Sequence, residues 1–188
     1  MRHTFIMMGL WLIGTCGCRQ PAAPVAATDP AIPTQAKEGS AMGFTVTSTA
    51  FADGQPIPAK YTGDGADVSP PLAWEGAPKS TVELALICED PDAPDRDFVH
   101  WVAYGMAPGT ASLAEGATAG LTAGRNDFGT TGYKGPAPPR GKAHHYRFRL
   151  MALDAKTGLG AGADKQALRD AVKGHVLAEA DLIGTYQR

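Results

Sequence analysis

Two carboxylates flanking a proline follow directly after an apolar stretch of the chain. Asp90 and Asp92 bracket Pro91, whose fixed φ restricts the directions in which the two side chains can point. His100 lies inside a second apolar stretch, and His144 opens a third. Carboxylates beside imidazoles can bind small polar ligands or transfer protons. If the three stretches are neighbouring strands, Asp90, His100 and His144 converge at one edge of a sheet.

Each of these residues also has a purely structural interpretation. An Asp-Pro-Asp sequence commonly forms a turn, and a single histidine in a strand is commonly a core residue. One or two carboxylates with two histidines could instead hold zinc or iron, although the spacing matches no metal signature. Ser69 and Ser80 lie in predicted loops without a Gly-x-Ser-x-Gly elbow, which disfavours a serine nucleophile. One alternative left open is a hydrolase or metal enzyme that uses Asp90, Asp92, His100 and His144.

Three apolar stretches are predicted to be the central strands of the fold. Residues 82–88 and 98–104 are apolar on nearly both faces, which is typical of strands in the middle of a sheet. Residues 145–153 alternate, with four apolar side chains on one face and Arg147 and Arg149 on the other. We expect the arginine face to be exposed or paired with acidic residues.

Helices are predicted only near the end of the chain. Asp164 can cap a helix over residues 165–173, and Gly174 is a suitable stop. A second short helix is predicted at residues 176–183. Strands followed by short helices predict a mostly β fold built from antiparallel sheets.

The first 42 residues are predicted to be a targeting signal and a linker. A basic start, an apolar run of about ten residues and small residues ending at a cysteine form the pattern of a bacterial lipoprotein signal. Cys18 follows Gly17 and is the expected acylated residue, with Cys16 as the rival; an ordinary cleaved signal is the alternative. We assign residues 1–17 to the signal peptide, 18–42 to a Pro/Ala-rich linker and 43–188 to the folded domain.

The composition disfavours several classes of protein. Seventeen basic and nineteen acidic residues among 188 leave no excess positive charge for binding nucleic acid. No apolar run approaches the ~20 residues of a membrane-spanning helix. The three cysteines do not have zinc-site spacing. If Cys18 is the anchor, Cys88 remains alone, and its apolar surroundings predict a buried core thiol.

A series of short motifs runs through residues 44–186. In order they are FADG (51–54), IP (57–58), YT (61–62), DG (64–65), SPPLAW (69–74), DPDAP (90–94), HW (100–101), DFGTTGY (127–133), PPRG (138–141), HHY (144–146) and GHVLAEADLIGTY (174–186). Together, and in this order, they resemble the bacterial branch of the phosphatidylethanolamine-binding protein family, also called the Raf kinase inhibitor protein family.

The resemblance implies a sandwich-like β fold with a small pocket for phosphate-type anions or phospholipid head groups. It implies that the pocket is lined by Asp90, Phe98, His100, Pro139, His144 and Tyr146. We expect a binding protein without a cofactor or resident metal rather than an enzyme, because no nucleophile–base pair is evident. The alternative is an interaction protein that inhibits a kinase or protease, with residues 53–74 or 128–140 as its surface; the identity of such a target stays open.

The expected location is the bacterial cell envelope, with the chain held to the membrane by its N-terminal lipid. Arg19 follows the acylated cysteine, in place of the aspartate associated with inner-membrane retention. We therefore expect the periplasmic side of the outer membrane.

Three positions depart from the family pattern. His145 stands where the family has arginine, Gly105 where it has asparagine, and Gly63 where it has cysteine. A carboxylate such as Asp90 beside an anion would be unfavourable unless it orients or protonates a histidine. We therefore expect phosphate-type ligands to bind better at mildly acidic pH.

Overall fold

The computed structural model describes residues 43–188. In chain order the strands are β1 (Thr45–Thr47), β2 (Gln55–Pro56), β3 (Leu72–Glu75), β4 (Glu83–Asp90), β5 (Phe98–Met106), β6 (Ser112–Leu113), β7 (Thr122–Ala123), β8 (His144–Leu153) and β9 (Val176–Tyr186). A short 3₁₀ helix (Ala59–Tyr61) precedes β3, and the α-helix α1 (Lys165–Ala171) precedes β9. The predicted signal peptide, linker and acylated Cys18 lie outside the described residues. No helix within residues 43–188 is long and apolar enough to cross a membrane.

The strands form two sheets. The larger sheet has the order β2-β9-β8-β4-β5-β7, and the smaller has the order β1-β3-β6. Neighbouring strands are antiparallel except β2 and β9, which are parallel. The predicted fold class, mostly β with antiparallel sheets, is confirmed. The three predicted central strands are neighbours, in the order β8-β4-β5.

Strand β4 is buried on both faces, and this fixes where the core lies. All eight of its residues are buried. Leu84 and Leu86 face the cluster between the two sheets, whereas Ala85 and Ile87 face a second cluster beneath α1. Cys88 is fully buried, and burial raises the pKa of its thiol well above the usual value. The prediction of a buried core thiol is confirmed.

Strand β8 has the predicted division between its two faces. Tyr146, Phe148 and Leu150 point into the core between the sheets. Arg147 and Arg149 lie on the opposite face, where their Nε atoms are 3.9 and 3.3 Å from carboxylate oxygens of Asp181. The expectation that the arginines pair with acidic residues is confirmed.

The C-terminal region contains one of the two predicted helices. The carboxylate of Asp164 accepts the N–H of Ala167 at 3.0 Å and caps α1 as predicted. Gly174 follows the helix with a φ of +83°, a conformation that favours glycine.

The predicted second helix at residues 176–183 is wrong, because this segment belongs to β9. Its side chains alternate along the strand, with Ala180 and Leu182 buried and Glu179 and Asp181 exposed. The segment also pairs along its whole length with β8. The short helical spacing of its apolar residues was outweighed by pairing with a distant strand, which local sequence does not show.

Candidate functional site

A small cavity lies at one end of the central strands of the larger sheet, where β4 ends and where β5 and β8 begin. Its volume is about 190 Å³. Its lining residues are Asp90, Ala93, Pro94, Phe98, His100, Phe128, Ala137, Pro138, Pro139, His144 and Tyr146. All six residues that the sequence singled out therefore meet in one cavity. Their role in binding a ligand stays a prediction.

Antiparallel pairing explains why residues so distant in sequence meet here. The register of β4 and β5 places Asp90 opposite Phe98. The register of β4 and β8 places Cys88 opposite Phe148, so the start of β8 lies beside the end of β4. The two strand pairs share β4, and their ends together form the floor of the cavity.

Asp90 and His144 form a buried pair at the centre of this floor. Nδ1 of His144 lies 2.8 Å from Oδ2 of Asp90, and each side chain is only 6% exposed. Oδ1 of Asp90 accepts the backbone N–H of Asp92 at 2.9 Å. Both carboxylate oxygens thus have partners, and the imidazole orientation is fixed.

His100 is held by the backbone of a neighbouring loop. Its Nδ1 lies 2.7 Å from the carbonyl oxygen of Lys134, and its own carbonyl accepts the N–H of Lys134 at 3.0 Å. A carbonyl oxygen only accepts, so Nδ1 of His100 carries the hydrogen. Burial lowers the pKa of His100, which keeps the ring neutral at pH 7.

The hydroxyl of Tyr146 is buried and has no hydrogen-bond partner within 3.5 Å among the described residues, although the carboxylate of Asp90 lies near enough to act on it. Burial raises the pKa of this phenol, and the nearby charge of Asp90 raises it further. The group therefore keeps its proton and can donate. A buried hydroxyl without a hydrogen-bond partner is unfavourable.

Aromatic rings form one wall of the cavity. Phe98, His100 and Phe128 pack edge to face, with centroid separations of 4.9 to 5.4 Å, and His100 meets Tyr146 at 5.1 Å. Phe128 is 43% exposed and stands at the mouth. The list of site residues taken from the sequence omitted Phe128, although it lies in the DFGTTGY motif, which could have indicated it.

The proline-rich loop at residues 135–139 forms the opposite wall. The N–H of Gly63 donates to the carbonyl of Pro136 at 2.8 Å, and a Cβ at position 63 would approach the Cβ of Ala137 to 3.0 Å. Glycine at position 63, one departure from the family pattern, therefore suits the close approach of this loop. The list of site residues taken from the sequence names Pro139 but not its neighbours Ala137 and Pro138.

The other two positions that depart from the family pattern, His145 and Gly105, lie outside the cavity lining. His145 turns away from the cavity, and its Nδ1 lies 2.7 Å from Oδ2 of Asp92 in a half-exposed pair. Gly105 has a φ of +72°, and its N–H donates to the buried Glu83 at 2.9 Å. Asp92 therefore contacts His145 and does not line the cavity. Within residues 43–188, no group of three or more His, Cys, Asp or Glu side chains is placed to hold a metal ion.

Comparison with known proteins decides the family. The sequence model described as "Phosphatidylethanolamine-binding protein" matches residues 47–187. The chain belongs to this family. A Methanothermobacter thermautotrophicus relative, named UPF0098 protein, is 48% identical over 145 residues, which are 74% of this chain and 95% of the relative. A Mycobacterium tuberculosis protein, named as a candidate lipoprotein, is 41% identical over 170 residues, covering 89% of this chain and 82% of the relative.

Solved structures show the same phosphatidylethanolamine-binding protein fold. A homologue of the family from Chlamydia trachomatis superposes with a TM-score of 0.74 at 40% identity, covering 78% of this chain and 98% of the homologue. The protein YbcL of E. coli, described as a member of the mammalian family, gives 0.73 at 29% identity and covers 78% and 99%. The family resemblance found in the sequence motifs is confirmed.

Proposed function

We propose that this chain binds phosphate-type anions, free or as part of a phospholipid head group, in the cavity at the ends of the central strands β4, β5 and β8. The observation that carries the proposal is the buried Asp90–His144 pair beside the unpartnered hydroxyl of Tyr146. A fixed imidazole and a protonated phenol can both contact the oxygens of one small ligand.

The size of the cavity restricts the ligand. A volume of about 190 Å³ is below the ~300–1,000 Å³ of typical drug-sized pockets. The cavity therefore accommodates a phosphate with a short substituent, while acyl chains would remain outside.

Binding, rather than catalysis, is what the lining supports. Burial keeps the thiol of Cys88 and the phenol of Tyr146 protonated, so neither is an activated nucleophile. The described lining includes no serine, threonine or lysine. Incubation with phosphoethanolamine should release no phosphate above a buffer blank; release that requires His144 would contradict this part of the proposal.

The chain is further proposed to be a lipoprotein of the cell envelope, acylated at Cys18. The lipoprotein signal pattern and the name of the mycobacterial relative support this. Palmitate labelling in a bacterial host should mark the wild type and Cys16→Ala, but not Cys18→Ala. Labelling that is lost in Cys16→Ala alone would move the anchor to Cys16.

Calorimetric titration with phosphate and with phosphoethanolamine tests the binding proposal. His144→Ala should weaken both ligands by about ten-fold or more, because it removes a polar partner from a buried site. His175→Ala is the matched control, since Nδ1 of His175 also lies 2.8 Å from a carboxylate, Oδ1 of Asp154, but outside the cavity. Equal binding by wild type and His144→Ala would contradict the proposed site.

A further inference from the structure

A second cleft lies beside α1, on the other side of the strand ends that form the cavity. Its volume is about 500 Å³, within the ~300–1,000 Å³ range of small-molecule sites. Val99 of β5 lines this cleft, whereas its neighbours Phe98 and His100 line the cavity. Likewise, Asp127 lines the cleft and Phe128 lines the cavity. Because successive side chains of a strand point to opposite faces of the sheet, the cleft and the cavity are separate sites.

The charges of this cleft cancel. Four of its lining side chains are basic and three are acidic. The carboxylate of Glu89, which is buried and pairs with Lys165 of the lining, adds a fourth negative charge. A site without net charge does not draw anions or cations from a distance. Such a cleft suits a ligand that itself carries both charges.

Two ion pairs of the cleft are structural, because both oxygens of each carboxylate have a partner. Nη2 of Arg96 lies 3.1 Å from Oδ1 of Asp127, whose Oδ2 accepts the N–H of Val99 at 2.8 Å. Nη2 of Arg125 lies 3.1 Å from Oδ2 of Asp164, whose Oδ1 caps α1. These two pairs hold the walls of the cleft in place.

The remaining four charges form an open series with a negative charge at one end and a positive charge at the other. The ammonium group of Lys165 pairs with the carboxylate of Glu89 and lies 3.5 Å from Oδ2 of Asp97. Oε2 of Glu89 also lies 3.9 Å from Nη2 of Arg169. The middle pair is largely buried, whereas the side chains of Asp97 and Arg169 are 47% and 48% exposed. Each end of the series is thus accessible and loosely held.

We propose that this cleft binds short zwitterionic peptides, with the ammonium group of the ligand at Asp97 and its carboxylate at Arg169. The inference is independent of the proposed function, because the cavity contributes no residue to the cleft. A guanidinium can hold a carboxylate through two parallel N–H···O bonds, and the 3.9 Å contact with Glu89 leaves Arg169 free to do so. Only two charged groups separate the ends of the series, so an extended dipeptide of about 7 Å can reach both.

The test compares three dipeptides by NMR titration of the full chain at about pH 6.5, where both ends of a free peptide are charged. The ligands are alanylalanine, its N-acetyl form, which lacks the ammonium group, and its C-terminal amide, which lacks the carboxylate. Alanylalanine should bind with a dissociation constant of about 1 mM, because half-exposed charges bind weakly. Each blocked form should bind about three- to five-fold more weakly. The amide signals of Val99 and Ala167 should shift, and that of Tyr146 should not.

Two exposed substitutions separate the roles of the ends of the series. Arg169→Gln should make alanylalanine and its amide bind equally, while the preference over the N-acetyl form remains. Asp97→Asn should have the opposite effect, removing only the preference over the N-acetyl form. Arg149→Gln is the matched control and should keep both preferences, since Nε of Arg149 also pairs with a carboxylate, Oδ1 of Asp181 at 3.3 Å, but outside the cleft.

The comparison of ligands on the wild type stands independently of how well the variants fold. Equal binding of the three dipeptides, or cleft signals that do not shift well above millimolar concentration, would overturn the inference. Shifts confined to residues of the cavity would overturn it as well. His144→Ala should bind alanylalanine as the wild type does, whereas it should lose phosphate, so the failure of either proposal leaves the other intact.

Discussion

The carboxylate of Asp67 accepts the backbone N–H of Gly135 at 2.7 Å, although 68 residues separate the two in sequence. Asp67 adopts a φ of +56°, which is uncommon for a residue other than glycine. The cost of this conformation is offset by the contacts of its carboxylate with Gly135 and Lys134. A loop remote from the cavity thus fixes the segment to which His100 is bound.

Removing the carboxylate of Asp67 should loosen this segment. Asp67→Ala is expected to lower the free energy of unfolding by about 1–3 kcal/mol and to weaken phosphate binding, because Lys134 no longer holds His100 rigidly. Denaturant unfolding and calorimetry measure the two effects. Asp67→Gly is the control, since glycine tolerates the positive φ but lacks the carboxylate. If Asp67→Gly were as stable as the wild type, the hydrogen bonds would not be responsible.

Gly135 allows the proline-rich wall to approach the 3₁₀ helix closely. A Cβ at this position would lie 2.5 Å from the carbonyl oxygen of Tyr61 and 2.7 Å from Cα of Thr62. Gly135→Ala should therefore displace the loop, lower the free energy of unfolding by about 1–3 kcal/mol and reduce phosphate affinity. Gly109→Ala is a suitable control because a Cβ there has no neighbour within 4 Å. Equal melting temperatures for the two variants would argue against the packing explanation.

Phosphate affinity should rise as the pH falls from about 7 to about 5. Because burial lowers the pKa of His100, its ring gains a proton only at a pH below the usual pKa of an imidazole. That proton adds positive charge to a cavity lining that also contains Asp90. The charges of Asp90 and Asp127 raise the pKa of His100, whereas its burial lowers it. Asp90 also contacts His144.

Titration of phosphate at several pH values measures this dependence. His145→Ala should show the same slope, because His145 lies outside the cavity lining. Tighter binding toward alkaline pH would refute the expectation.

The half-exposed pair of Asp92 and His145 should contribute stability that depends on pH. Hydrogen bonds from the side chain and the backbone N–H of His145 lower the pKa of Asp92. A lowered pKa in the folded state means that the contribution is present above about pH 4, the unfolded value, and is lost as the pH falls through the folded value.

Asp92→Asn should therefore be less stable than the wild type near neutral pH, by a modest amount because the pair is half-exposed. The difference should shrink below about pH 4. Thermal unfolding across this range measures it, and a difference that grows on acidification would contradict the assignment.

Much of the site could be predicted because its residues lie at strand ends. The apolar stretches that became β4, β5 and β8 are long, and their pairing places Asp90, His100 and His144 together. Local sequence was sufficient for these elements because burial on both faces gives β4 and β5 an almost continuous apolar pattern, whereas one buried face gives much of β8 an alternating pattern.

The rest of the fold depended on contacts that local sequence does not show. The segment 176–186 contains apolar residues at both helical and alternating spacing, and pairing with β8 decides in favour of the strand. Phe128 and Ala137 reach the cavity from loops whose positions are set by distant partners. Asp67 had no sequence signal, since its role arises from a backbone conformation and from a contact 68 residues away.

The two outermost strands of the larger sheet are each only two residues long, and one of them contains Pro56. Strand β2 pairs with Gly184 and Thr185 of the much longer strand β9. Two acidic side chains of β9, Glu179 and Asp181, are exposed. Short edge strands, a proline and charged side chains all disfavour the addition of a strand from a second molecule to the sheet. These features therefore disfavour edge-to-edge pairing of the larger sheet with a second copy of the folded domain.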